Sequence, residues 1–262
     1  MSSEYLNQNR SLDELDALIE QDRVAAEKLA ASVFAHEIST ALNNISEINQ
    51  VAGARILANS QVASAKMMMD AEVSAAHLLS KAEIAVMEMQ ARTKEGTSQP
   101  EPHASMVSEI RRSADEAISQ GAKQSVEDIQ REAQESIAQL NKSATTAIQE
   151  IKAIADDVRT KITKSAKKAK SKLNNGKKQP RTPENIANDA EEAAEKILAE
   201  AAHTTEKIHT ARDRAIADLN AIVGEASKTL AQAAAASETR IIAARDKAQM
   251  RISEVAEKLF PH

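Results

Sequence analysis

The sequence predicts an all-α protein of three long helices, arranged either as an antiparallel three-helix bundle or as an extended right-handed coiled coil. Three observations predict it. Large aliphatic residues return every eleven positions through most of the chain. Two breaks, EGTSQPEPHASM (95–106) and NNGKKQPRTPEN (174–185), each carry a Gly and two prolines that a continuing helix does not tolerate. The 262 residues include no Trp, one Tyr and two Phe, and an alanine-rich chain so poor in aromatics suits long helices better than a thick globular core.

The first element follows a flexible stretch, 1–10, and spans 11–94. Ser11 with Glu14 three residues on forms a capping-box pairing at its start. Its apolar residues fall in several eleven-residue columns: Val51, Val62, Val73 and Ile84; Ile56, Met67, Leu78 and Met89; Leu57, Met68 and Leu79. On a helical wheel these spread over more than half the circumference. They leave one polar strip of Arg55, Lys66, His77 and Glu88 and another of Gln50, Gln61, Glu72 and Glu83. A helix apolar on two sides must be covered on two sides, which predicts the inner member of a bundle, with Met67, Met68 and Leu79 against the other two helices. In a second reading the adaptable side chains of Ile56, Met67, Met68, Leu78 and Met89 meet a partner protein, a lipid or a polymer surface.

After the 95–106 linker, the second helix covers 107–173. Its column is Val107, Ile118, Ile129, Leu140, Ile151 and Ile162, with an Ala four residues after each from Ile118 on. Gly176, following Asn174 and Asn175, is a left-handed stop signal in the 174–185 linker. The third helix, 186–260, is announced by Thr182 with Pro183 at the first helical position and closed by Pro261. Its column is Ile186, Ile197, Ile208, Leu219, Leu230, Ile241 and Ile252, and the residue seven places after each is small except for Leu259. These large residues predict the helix–helix seams.

Eleven residues in three turns is about 3.67 per turn, looser than a relaxed α-helix, so helices that keep such a stripe against a partner coil gently to the right. One large aliphatic and a few small residues per three turns bury too little to hold an isolated helix, and partners are therefore required. Helices about 100–120 Å long at 1.5 Å per residue are joined by links that reach at most about 43 Å. Each helix thus begins near the end of its predecessor. That leaves an up-down-up bundle or a rod that associates with other chains, in either case a highly helical and elongated particle.

Nothing in the pattern resembles an active site, and no enzyme activity and no cofactor are expected. The histidines, His36, His77, His103, His203, His209 and His262, are scattered; His203 and His209 point to different faces. The glycines stand too far apart for a phosphate-cradling loop. Without Cys there is no disulfide, thiolate metal site or Cys nucleophile. Acidic clusters such as Glu191, Glu192 and Glu195 read as solvated faces, with Glu192 and Lys196, and Glu254 and Lys258, as ordinary helix-surface pairs. The chain opens with no signal-peptide pattern and holds no run of eighteen apolar residues, so a soluble, cytoplasmic protein is expected.

Net charge is -5, but its distribution is uneven. From Arg159 to Arg181 every charged residue is basic. Lys161, Lys164, Lys167, Lys168, Lys170, Lys172, Lys177, Lys178 and Arg181 make a candidate surface for polyanions, with the salt sensitivity that phosphate contacts bring. No interleaved aromatics stack bases, so any nucleic-acid binding is expected to lack sequence specificity. The alternative role of these cations is to favour the helix dipole and to face the acidic strips of the other helices.

The alanine-rich eleven-residue repeat resembles that of the right-handed coiled-coil stalks of rotary ATPases. More distantly it is similar to the lipid-binding helices of apolipoproteins and granule-coating phasins. The resemblance is one of periodicity, without a diagnostic motif, and a stalk of that kind is expected to carry a membrane anchor. The leading expectation is a non-enzymatic coiled-coil spacer, stalk, scaffold or filament subunit that associates with itself as a homo-oligomer or with another helical protein. The alternative is a peripheral amphipathic-helix coat on a membrane or hydrophobic granule.

Overall fold

A computed structural model describes residues 3–94, 103–173 and 183–259, although the side chains of some residues within these helices, chiefly near their ends, lie outside the description. The described residues form three α-helices: α1 (Ser3–Lys94), α2 (His103–Leu173) and α3 (Pro183–Leu259). Helix α1 is described as far as Lys94 and α2 as far as Leu173, and α3 begins on Pro183, whose fixed φ and missing N–H suit the first turn.

Two starts differ from expectation. Helix α1 begins at Ser3, so residues 3–10 are helical rather than a flexible tail and Ser11 lies inside the helix instead of capping it. The segment SEYLNQNR contains neither Pro nor Gly, and a capping pair halts a helix only where the preceding residues leave the helical region. Helix α2 likewise starts at His103 rather than 107, directly after Pro102, because HASM offers no breaker. The expected cap at Thr182 and the stops at Gly176 and Pro261 lie outside the described residues.

The chain divides into two compact units. The first contains residues 1–49 and 137–217, and so joins the first part of α1 to the last part of α2 and the first part of α3. In it Phe34 and Ile45 of α1, Leu140, Ile151 and Ile162 of α2, and Ile186, Ile197 and Ile208 of α3 are all buried. Two grooves between α2 and α3 show the direction of packing. One is lined by Arg159 and Thr163 with Ala187 and Ala190, the other by Lys152 and Asp156 with Ala202 and Thr205. Numbers fall along α2 as they rise along α3, so the two helices are antiparallel here.

The second unit contains residues 50–136 and 218–262. Its core is made of Ile56, Met67, Leu78 and Met89 of α1 with Leu219, Leu230 and Ile241 of α3, all buried. At one end Val86, Met89 and Val255 cluster, covered by Ile252 and Leu259. The guanidinium of Arg240 donates to Glu72 at 2.6 Å, and that of Arg251 to Glu83 at 3.2 Å. Advancing eleven residues on α1 matches advancing eleven on α3, so these two helices run parallel in this unit.

Candidate interaction faces

The eleven-residue columns place the buried residues of each helix on one line. On α1 the line is Phe34, Ile45, Ile56, Met67, Leu78 and Met89, every one buried. Its first two members lie outside the stretch in which the columns are densest, and following the same step backwards from Ile56 finds them. On α3 the residues from Ile186 to Ile241 at this step are buried, with Ile252 partly covered, and between them Ala193, Thr204, Ala215, Ala226, Ser237 and Ala248 are buried too. Small residues let the backbones approach. On α2, Leu140, Ile151 and Ile162 are buried, with Ala144 and Ala155 beside them. The side chains of Ile118 and Ile129 lie outside the described residues.

Close approach has its sharpest case at Gly53 of α1. A Cβ built there would stand 2.8 Å from Cδ1 of Ile222 on α3. The glycine gives Ile222 its place. Buried hydroxyls are treated unevenly. Ser60 donates to the Leu57 carbonyl at 2.8 Å, whereas Oγ of Ser64 and of Ser237 and Oδ1 of Asn49 have no hydrogen-bond partner.

The sequence expectation for α1 is corrected on two counts. Ile56, Met67, Leu78 and Met89 are core residues in this structure and hence not an open face for a partner or lipid. The helix is also not covered on both sides. Val51, Val62, Val73 and Ile84, the other rich column, are exposed, with Val62 at 70% and Val73 at 65% of full accessibility. Met69 is 60% exposed, Met87 is 59%, and Met68, at the margin, is 37%. Leu79 is half-buried. The described contacts of this part of α1 are with α3, whose narrow seam covers the arc that holds the Ile56 column and not the valine column.

Ion pairs occupy the surface. Within α1, Arg23 donates to Glu27 at 2.7 Å and also to Glu20; the hydrogen bond to Glu20 is the chief influence holding its guanidinium above the usual arginine range. On α3, Lys196 and Glu192 pair at 2.8 Å as their spacing predicts. Their hydrogen bond, reinforced by their opposite charges, lowers the Glu192 carboxyl and raises the Lys196 ammonium. Both are fully exposed, so the pair contributes little.

The basic run is only partly described. Lys161 is exposed and paired with Asp157 at 2.6 Å. Lys164 and Lys167 are exposed, and Lys167 and Arg159 line the same groove as Glu191 and Glu195 of α3. The side chains of Lys168, Lys170 and Lys172 lie outside the described residues, as do Lys177, Lys178 and Arg181 altogether. Among the described residues no group of three or more His, Asp or Glu is placed to hold a metal ion, and no helix is long and apolar enough to cross a membrane.

Neither a family model nor a curated protein matches the chain. Among solved structures it is similar to a computationally designed three-helix bundle, with 14% identity, a TM-score of 0.53, and coverage of 95% of this chain and 99% of that one. Identity so low speaks to fold alone. The fold is all-helical, with three helices packed together.

Proposed function

We propose that this chain is a non-enzymatic structural protein, a spacer, scaffold or filament subunit, whose working parts are helix seams. The observation that carries the reading is the exposed valine column of α1. It repeats the eleven-residue step of the buried seams, yet Val51, Val62, Val73 and Ile84 are all exposed. Long helices packed through narrow alanine-flanked stripes supply spacing and stiffness, and an exposed stripe of the same design supplies attachment. The groove between Arg159, Lys167, Glu191 and Glu195 mixes both charge signs, so the described part of the basic run is partly offset within the chain and takes no role in this reading.

The same exposed column also favours a second reading, a coat on a lipid or granule surface. Width weighs against it. With about 98° between successive residues, the outer columns of the stripe are about 65° apart, the width of a helix seam rather than the broad apolar arc of a helix lying in an interface. Sedimentation of the purified chain, together with flotation on liposomes, separates the two readings. Self-association without flotation is the expected outcome. A chain that stays monomeric and floats with liposomes would establish the coat reading instead.

A further inference from the structure

The chain has no Cys, no Trp and one Tyr, so the thioethers of its methionines are its most readily oxidised side chains. The fold sorts them sharply. Met67 and Met89 lie in the core at 5% of full accessibility, whereas Met69, Met87 and Met250 stand at 60%, 59% and 62%, with Met68 between them at 37%. Three of these residues are consecutive in sequence, and the turn of about 100° per residue carries Met67 into the core, Met68 to the margin and Met69 into solvent.

The two exposed thioethers of α1 also occupy particular columns. By the eleven-residue step, Met69 stands about 33° from the valine column, in a line with Ala58 and Ala91, and Met87 about 65° away, in a line with Ala54, Ala65 and Ala76. All of these side chains are exposed. Each methionine is therefore the largest apolar group on an alanine flank of the stripe. A sulfoxide in its place is a strong hydrogen-bond acceptor that gives up its water only at a cost.

We infer that Met69, Met87 and Met250 are sites of oxidation by hydroperoxides, and that modification at the first two makes the flanks of the α1 stripe polar while the fold stays intact. The sulfur lone pair attacks one peroxide oxygen; the S–O bond forms as the O–O bond breaks. The proton on the transferred oxygen passes to the departing oxygen. Sulfur is oxidised by two electrons and the peroxide is reduced to water or an alcohol. No buried contact depends on the three exposed thioethers, so packing survives the change. Met67 and Met89 are shielded by the core that their own oxidation would disrupt, and reaching them requires the helices to open.

Brief treatment of the whole protein with hydrogen peroxide, followed by peptide mapping, tests the assignment. In the folded chain Met69, Met87 and Met250 are expected to oxidise about 10-fold or more faster than Met67 and Met89, with the difference lost in denaturant. Far-ultraviolet dichroism is expected to stay unchanged, and retention on a hydrophobic-interaction column to fall. Met69→Leu, Met87→Leu and Met250→Leu together conserve volume and remove the thioethers, and this variant is expected to keep its retention after the same treatment. Oxidation of Met67 or Met89 as fast as Met69 in the folded chain overturns the assignment of sites. Loss of helicity when only the exposed three are oxidised, or an undiminished retention shift in the triple variant, overturns the change of surface without change of fold. These readouts need no partner, so a chain that fails to self-associate counts against the proposed function and leaves this inference standing.

Discussion

At the scale of single residues, the seams depend on what is small and on which hydroxyls are satisfied. Ser237 is fully buried and its Oγ has no partner, in a column whose other buried members are four alanines and Thr204. Ser237→Ala removes an unsatisfied buried hydroxyl and installs the best helix former, so it is expected to raise stability by about 1–2 kcal/mol in chemical denaturation. The two helical glycines with described surroundings predict opposite behaviour. Nothing stands within 4 Å of a Cβ added at Gly224, so Gly224→Ala is expected to stabilise by about 1 kcal/mol. At Gly53 the same gain is opposed by Ile222, whose terminal carbon must move aside. Gly53→Ala is therefore expected to stabilise less than Gly224→Ala in parallel melting curves, and Gly53→Leu to destabilise outright by overpacking.

At the scale of an element, the large residue in each repeat is where a helix is held. Ile208 and Leu219 are fully buried. Replacing either with Asp deletes a core side chain and buries a carboxylate, with an expected loss of about 4 kcal/mol or more and a visible drop in melting temperature. The Glu192–Lys196 pair is the contrasting case. A depressed carboxyl contributes stability that is present above its unfolded titration and lost as pH falls through the folded one. A raised ammonium contributes stability that is present below its unfolded titration and lost as pH rises through the folded one. Glu192→Gln is therefore expected to lower the melting temperature slightly at neutral pH, with the difference from wild type vanishing in acid and in strong alkali.

The number of helices was legible because Pro and Gly act locally, and the buried lines were legible because a column eleven apart is a property of the sequence itself. Two features were not. The start at Ser3 was hidden because a capping pair reads the same inside a helix as at its end. The choice between the Ile56 and Val51 columns was hidden because both are apolar at the same step, and only the packing of α3 onto the Ile56 side decides which one is covered.

At the scale of the whole molecule, stability and assembly are one equilibrium if second copies pair through α1. Mass action then makes the apparent melting temperature rise with protein concentration, and a tenfold dilution lowers stability by an amount set by the dissociation constant. A calorimetric series over a hundredfold range of concentration checks this; the expected result is a steady rise for wild type and a flat line for the Val62→Asp, Val73→Asp variant.

The pairing of Arg240 with Glu72 and of Arg251 with Glu83 ties α1 to α3 at one constant separation in sequence, 168 residues. Because that separation survives a step of eleven, the chain carries a unit of length. Removing eleven residues from each of the three helices in a single unit brings every remaining large side chain back to its own line after three whole turns, about 16 Å shorter. Removing four or seven would rotate the lines out of phase. Insertions or deletions of eleven residues, taken together in the helices of a unit, therefore keep the buried lines in phase, and other lengths do not.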